Sequence, residues 1–165
     1  MEMETLQELL VDELKDLYSA EQQLLKAMPK MAKTASHPQL KKAIEAHMRE
    51  TEGHVDRLES VFEALGEKAK AKKCLAMEGL IKEAKEMMGE DMDDDVMDAA
   101  LIAAAQKVEH YEIASYGTVR TYAQLLGNKE AARLLQQTLD EEGKTDKLLS
   151  QLAEKSINLE AARPN

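Results

Sequence analysis

Val108-Glu109-His110-Tyr111-Glu112 sets two carboxylates one helical turn apart in the middle of an apolar stripe. Counting outward in threes and fours gives Ile102, Ala105, Glu109, Glu112, Tyr116, Val119, Ala123 and Leu126. That is the spacing of one helix face. Six of these eight positions suit a buried stripe, and the two at its centre do not. An ionised carboxylate enters a core only with a cation, a proton or a positive partner, because desolvating it costs several kcal/mol.

The same interruption recurs along the chain. A first helix is expected over 3–34, with Leu6, Leu10, Leu14, Leu17, Glu21, Leu24, Met28 and Met31 as its inner row and Glu21 at mid-row. Pro29 should kink or loosen its last turn. Ser36 or His37 in cap position and Pro38 in the first turn start a second helix over 38–65. Its face reads Leu40, Ile44, His47, Glu50, His54, Leu58, Val61 and Leu65. Gly66 ends it. A Lys-rich connector, a short helix over 75–88 and an acidic loop then form an excursion long enough to cross from one end of a bundle to the other. Asp93, Asp94 or Asp95 caps a third long helix, 94–126, whose N-terminal dipole favours negative charge. Gly127-Asn128 is a tight stop. The last helix, 129–158, turns Leu135, Leu139, Glu142, Asp146, Leu149 and Ala153 inward, and the tail 160–165 should fray.

Four long helices, two short connections and one long crossover describe an all-α, ferritin-like four-helix bundle with a short extra helix in the crossover, as a single domain over 1–165. Its polar interruptions are Glu21, Glu50, His54, Glu109, Glu112, Glu142 and Asp146. Each lies near a helix midpoint, and midpoints of antiparallel neighbours meet at one level. Six carboxylates there cannot all stay ionised without compensation. Two divalent metals offset most of that charge and two trivalent ions all of it. The carboxylate-bridged di-metal plan takes a Glu from each of two helices and a Glu/His pair from each of the others. Glu21, Glu50, His54, Glu109, Glu142 and Asp146 are therefore the expected metal ligands. Glu112 is the bridging or switchable ligand and the candidate catalytic residue. An oxygen-rich shell favours two Fe ions, with Mn as the alternative, over structural Zn.

The competing reading has these acids facing solvent or pairing with Lys and Arg. It suits one mid-helix Glu better than four helices with acids at matching height. His47, one turn before Glu50, is read either as a support for the ligands or as an ordinary core polar residue. His110 points away from the Glu109–Glu112 face. Tyr18 and Tyr116, one turn from the site, are read as core residues or as hydrogen-bond partners of a ligand carboxylate. Asp91 to Asp95 lacks the glycine and closing Glu of an EF-hand. Cys74 reads as a packed small residue.

A net charge of −10 argues against nucleic acid and anionic membrane surfaces as partners. No apolar run approaches a membrane span, and Glu2, Glu4 and Glu8 do not fit a signal peptide. One cysteine cannot form an intramolecular disulfide and suits a reducing cytoplasm.

Glu109-His110-Tyr111-Glu112 resembles the Glu-x-x-Glu helix of rubrerythrin-type di-iron proteins. Asp16 to Gln23, Cys74 to Ile81 and, above all, Asp98 to Gly117 resemble the bacterial YciE/YciF family of ferritin-like stress proteins, over nearly the whole chain. The resemblance implies a cytoplasmic, dimeric bundle linked to stress, without a ferritin cage. Thr51 and Asp146 depart from the broader di-iron pattern, since His54 must pair with Glu50 at i+4 and Asp146 stands where a His is common. The expected function is a di-metal protein that reacts with peroxide or oxygen, or handles iron, during stress. The alternative is a non-enzymatic stress dimer or adaptor with a structural metal site. Turnover with peroxide or oxygen would need an external reductant, for which the sequence offers no site.

Overall fold

The computed structural model describes residues 3–164, so Met1, Glu2 and Asn165, the last residue of the expected tail, lie outside it. Four long helices run Leu6–Thr34 (α1), Pro38–Ala64 (α2), Asp94–Leu125 (α4) and Lys129–Leu152 (α5), with the short α3, Leu75–Met88, in the crossover. A wide π-helical turn, Ala153–Ile157, and a last short helix, Asn158–Ala161 (α6), complete the chain. The start of α1 falls three residues later than the apolar spacing alone predicts, because Thr5 closes a capping box. Its hydroxyl accepts from Glu8 N at 3.2 Å, and the Glu8 carboxylate accepts from Thr5 N at 2.9 Å. The α-helix continues through Pro29 to Thr34.

The tight connections are built locally and then tied across the bundle. His37 is the N-cap of α2, with Pro38 first in the helix, and its Nδ1 accepts from Gln39 N. The buried Asp98 carboxylate of α4 accepts from Ser36 N at 2.8 Å and His37 N at 2.7 Å, so this acid fixes the turn between α1 and α2. Gly66 and Gly127 end α2 and α4 at φ +70° and +75°, the left-handed region that other residues occupy at a cost. Asn128 caps α5 by accepting from Ala131 N at 3.0 Å while its amide donates to Ala64 O at 2.9 Å, pinning the ends of α2 and α4 together.

α1 packs on α2 and α4, and α5 on α2 and α4, while α3 lies against α1 and α4. One apolar cluster fills one end of the bundle with Leu10, Leu14, Leu58, Phe62, Val119 and Leu135. Another fills the opposite end with Met31, Leu40, Ile44, Leu101, Leu149 and Ile157. Between them each long helix carries its mid-helix polar residues, and a third apolar cluster of Ala20, Leu24, Met28, Cys74, Met77 and Val108 packs α1 and α4 against α3 at that level. The apolar row of α4 stops short of its expected last member, because Leu126 caps the helix and is 39% exposed. Among the described residues, no helix is long and apolar enough to cross a membrane.

Candidate metal centre

Between the two apolar ends lie Glu21 from α1, His47 and His54 from α2, Glu109 and Glu112 from α4, and Glu142 from α5, all buried. Each long helix supplies at least one of them because its inner row passes the mid-level of the bundle there. Ligand atoms of His47, Glu109, Glu112 and Glu142 lie within 4.8 Å of one another, and so do those of Glu21, His54 and Glu142. Glu142 belongs to both groups, which makes it the natural bridge.

The contacts show unmet demand. Glu112 has no hydrogen-bond partner on either oxygen, nor has Glu142, and Glu21 Oε2, Glu109 Oε2, His47 Nε2 and His54 Nδ1 are also orphaned. Buried polar atoms are rarely left so, and a set of them aimed at one volume has the chemistry of a cation-binding site. His47 Nε2 sits 2.7 Å from Glu109 Oε1 and 3.7 Å from Glu142 Oε2. His54 Nδ1 sits 3.0 Å from Glu142 Oε1 and 3.5 Å from Glu21 Oε1. The Tyr116 hydroxyl donates to Glu21 Oε1 at 2.5 Å, orienting that carboxylate from one turn away.

Protons stand in where a cation would. Burial, then the charges of Glu142, Glu21 and Glu109, pushes the Glu112 carboxyl well above its ordinary value. Burial and Glu109 do the same for Glu142. Burial opposes a charged His47, but Glu109 and Glu50 outweigh it and raise the imidazole to about 10. Burial likewise opposes an ionised Glu109, and contacts with Glu142 and His47 hold it below its ordinary value. Burial and Glu21 push the Tyr116 phenol up, which keeps it a donor.

Both histidines are held by their second nitrogen. His54 Nε2 lies 2.8 Å from Glu141 Oε2, and Glu141 is bound in turn by Arg57 through two nitrogens, at 3.0 and 3.1 Å. Arg57 also donates to Thr138 at 2.7 Å. Burial would raise the Glu141 carboxyl, but Arg57 and His54 outweigh it and hold it low and ionised. An ionised carboxylate only accepts, so Nε2 carries the hydrogen and the Nδ1 lone pair faces Glu142 and Glu21. His47 Nδ1 has looser neighbours, Thr145 Oγ1 at 3.4 Å and Glu50 Oε2 at 3.5 Å.

The structure gathers Glu21, His54, Glu109, Glu112 and Glu142 as expected and leaves Glu50 and Asp146 outside both groups. Glu50 is one position off the inner row, with its side chain 36% exposed, and reaches His47 and Thr145 from a groove between α2 and α5. Thr51 takes the inward position instead. Asp146 is turned toward α4, where its Oδ1 lies 3.2 Å from His110 Nε2 and accepts from Gln106 at 3.2 Å. Thr145 is the buried residue at that level of α5. His47 enters the cluster directly. Strict alternation of fours and threes along α2 (40, 44, 47, 51, 54, 58) would have placed both histidines inward and Glu50 out. Nothing in the sequence marked Glu141 or Arg57. Tyr18 faces away and donates to Glu59. Cys74 is buried, caps α3 through Sγ and lies 3.1 Å from the Tyr111 hydroxyl.

With this set the charge closes. Four carboxylates, Glu21, Glu109, Glu112 and Glu142, once ionised carry the charge that would offset two divalent ions. The donor set is oxygen-rich with one imidazole in each group, which fits Fe or Mn.

Residues 5–162 match the family described as domain of unknown function DUF892. The chain belongs to that family. It is 49% identical to Protein YciF of Escherichia coli (strain K12) over 162 residues, 98% of each chain. The crystal structure of that E. coli stress protein superposes with a TM-score of 0.91, covering 94% of this chain and 99% of the other. A ferritin-like, diiron-carboxylate protein of Bacillus anthracis str. Ames matches with a TM-score of 0.69 over 91% of this chain and 99% of that one, at 18% identity. At that identity the likeness speaks for the fold alone: the DUF892 chain is a ferritin-like helical bundle.

Proposed function

We propose that this DUF892 bundle is a carboxylate-bridged di-iron protein of the stress response, reacting with peroxide or oxygen or handling iron, with manganese as the alternative metal. The observation that carries the reading is the convergence of orphaned, buried carboxylate and imidazole atoms from four helices on one volume. The stress context rests on the E. coli relative, whose structure is described as that of a stress protein. When bound, a pair of divalent iron ions supplies two one-electron donors for reducing peroxide or dioxygen.

The protein's own residues do the rest. Glu142 spans the two groups, and His47 and His54 each offer one nitrogen to one of them. Glu112, free on both oxygens, has the latitude to bridge or to bind terminally as the charge changes. Tyr116 holds Glu21 and excludes water behind it. A cytoplasmic homodimer is the setting the family resemblance implies, and light scattering tests the assembly.

Elemental analysis of protein expressed with iron and manganese supplements tests the site, beside the double variant Glu109→Gln, Glu112→Gln. The expected result is about two Fe or Mn per chain, lost in the variant. No transition metal in either protein, with folding unchanged, would overturn the reading and leave a non-enzymatic interaction bundle.

A further inference from the structure

The crossover helix α3 leaves a slot where it meets α1 and α4. The slot has a volume of about 260 Å³, and Leu24, Met31, Ile81, Met88 and Val108 supply much of its wall. Among the described residues its polar lining is Lys26 and Lys30, one turn apart on α1, and Lys85 of α3. Lys26 and Lys85 also line a wider, solvent-open groove of about 670 Å³ beside it, which adds Gln23, Glu78 and Lys82. These two lysines therefore stand where hydrocarbon wall gives way to water.

The chain's composition does not favour such a rim. Acids outnumber Lys and Arg by 32 to 22, yet no acid lines the slot. The three glutamates of α3 are engaged elsewhere, Glu78 with Lys73 at 2.6 Å, Glu83 with Lys107 at 3.3 Å and Glu86 with Lys82 at 4.0 Å. Among the described residues Lys26, Lys30 and Lys85 form no ion pair. Like charges gathered without an anion repel one another. Cations at the mouth of an apolar slot match a ligand that carries both an anion and a hydrocarbon body.

Shape narrows the occupant further. The slot runs from Leu24 to Met31 along α1, about 10 Å at about 1.5 Å per residue. The helices α1, α3 and α4 all pack on one another, and packed helices stand about 8–10 Å apart. A peptide helix, about 10–12 Å wide, is too broad to enter, whereas a single extended hydrocarbon chain is not. A small inorganic anion would leave the apolar wall wet.

We propose that this slot binds a medium-chain aliphatic carboxylate, with its tail between the three helices and its carboxylate at Lys26 and Lys85, Lys30 beside them. Binding there requires no metal and is independent of the di-metal reading. The full chain is titrated by calorimetry with decanoate below its micelle concentration, beside acetate and decyltrimethylammonium, and methyl-labelled protein is followed by NMR. Decanoate should bind saturably and shift the methyls of Leu24, Ile81 and Val108, leaving those of Leu14 and Leu58 at one end of the bundle unmoved. Acetate should not bind, and decyltrimethylammonium should bind about tenfold more weakly than decanoate.

Lys26→Gln, Lys30→Gln and Lys85→Gln together should weaken decanoate about tenfold and remove its preference over the ammonium amphiphile. All three side chains are exposed, so the fold should be unchanged. Ala104→Leu narrows the slot from α4 and should abolish binding, and the lysine variant decides alone should Ala104→Leu fail to fold. No saturable binding of decanoate, equal binding of the two amphiphiles, or methyl shifts away from the slot overturns the proposal. Lysine-dependent binding to anionic phospholipid vesicles without binding of free decanoate overturns it too, and makes the face a membrane contact.

Discussion

The two candidate ligand groups share Glu142 and differ in everything behind their histidines. His54 is fully buried, and a continuous chain through Glu141, Arg57 and Thr138 fixes its ring with contacts of 2.7 to 3.1 Å. His47 is 7% exposed, and its outer nitrogen meets Thr145 and Glu50 only at 3.4 and 3.5 Å. A polar groove between α2 and α5 reaches the His47 side. Rigidity at a ligand comes from what holds its second nitrogen, so on the proposed reading the His54 group is the one built to retain an ion. On the same reading the His47 group, with its looser neighbours and the polar groove beside it, is the one open to exchange with solvent.

The largest effect should come from erasing the shared element. Glu142→Gln removes a ligand from both groups at nearly constant volume, so metal content should fall from about two ions per chain to near zero by elemental analysis. The metal-free variant should also melt higher than the metal-free wild type at neutral pH. Gln is neutral at every pH, whereas Glu142 must be held protonated far above its ordinary value. A variant that keeps one ion would show that the groups do not share a bridge.

Next in size is the support of His54. Glu141→Gln removes the ionised acceptor that fixes the tautomer, and metal affinity at the tighter site should drop by about 10–100-fold in a chelator competition. The corresponding change on the His47 side, Glu50→Gln, should alter the final metal content little and mainly change the rate of metal exchange. Equal losses from both substitutions would erase the contrast between the halves.

The pH dependence of the metal-free protein sharpens the same picture. Glu112 and Glu142 have folded-state values raised above the ordinary 4.5, and His47 is raised from 6.5 to about 10. A raised folded value gives stability that is complete below the unfolded value and is lost as pH climbs toward the folded one. Glu112 and Glu142 therefore destabilise the metal-free bundle as pH rises above about 5, and His47 adds to the loss only above 6.5. Metal replaces those protons, so the Tm gap between loaded and metal-free protein should widen from about pH 5.5 to about pH 8, as differential scanning fluorimetry would show. A gap that narrows would mean that the cluster does not hold protons in place of metal. The smallest effect belongs to Asp146→Asn, which should leave metal content unchanged. Loss of an ion there would return Asp146 to the ligand set.

Much of this was legible in the chain itself. Apolar residues in steps of three and four, Gly66 and Gly127 as stops, and the long polar excursion between the second and third long helices dictate four helices and one crossover, because helix periodicity and capping are local properties. The acids of the cluster were visible for the same reason: Glu21, Glu109, Glu112 and Glu142 interrupt rows whose other members must be buried. Tertiary packing decided the rotation of α2 and α5. Adjacent residues on a helix point about 100° apart, and two neighbouring polar side chains can each pass for the inner one when only their own helix is considered. Packing against α1, α4 and each other turned Thr51 and Thr145 inward, swung Glu50 and Asp146 out, and carried His47 into the cluster. The Arg57–Glu141 pair behind His54 joins residues far apart in sequence, and only the folded bundle brings them together.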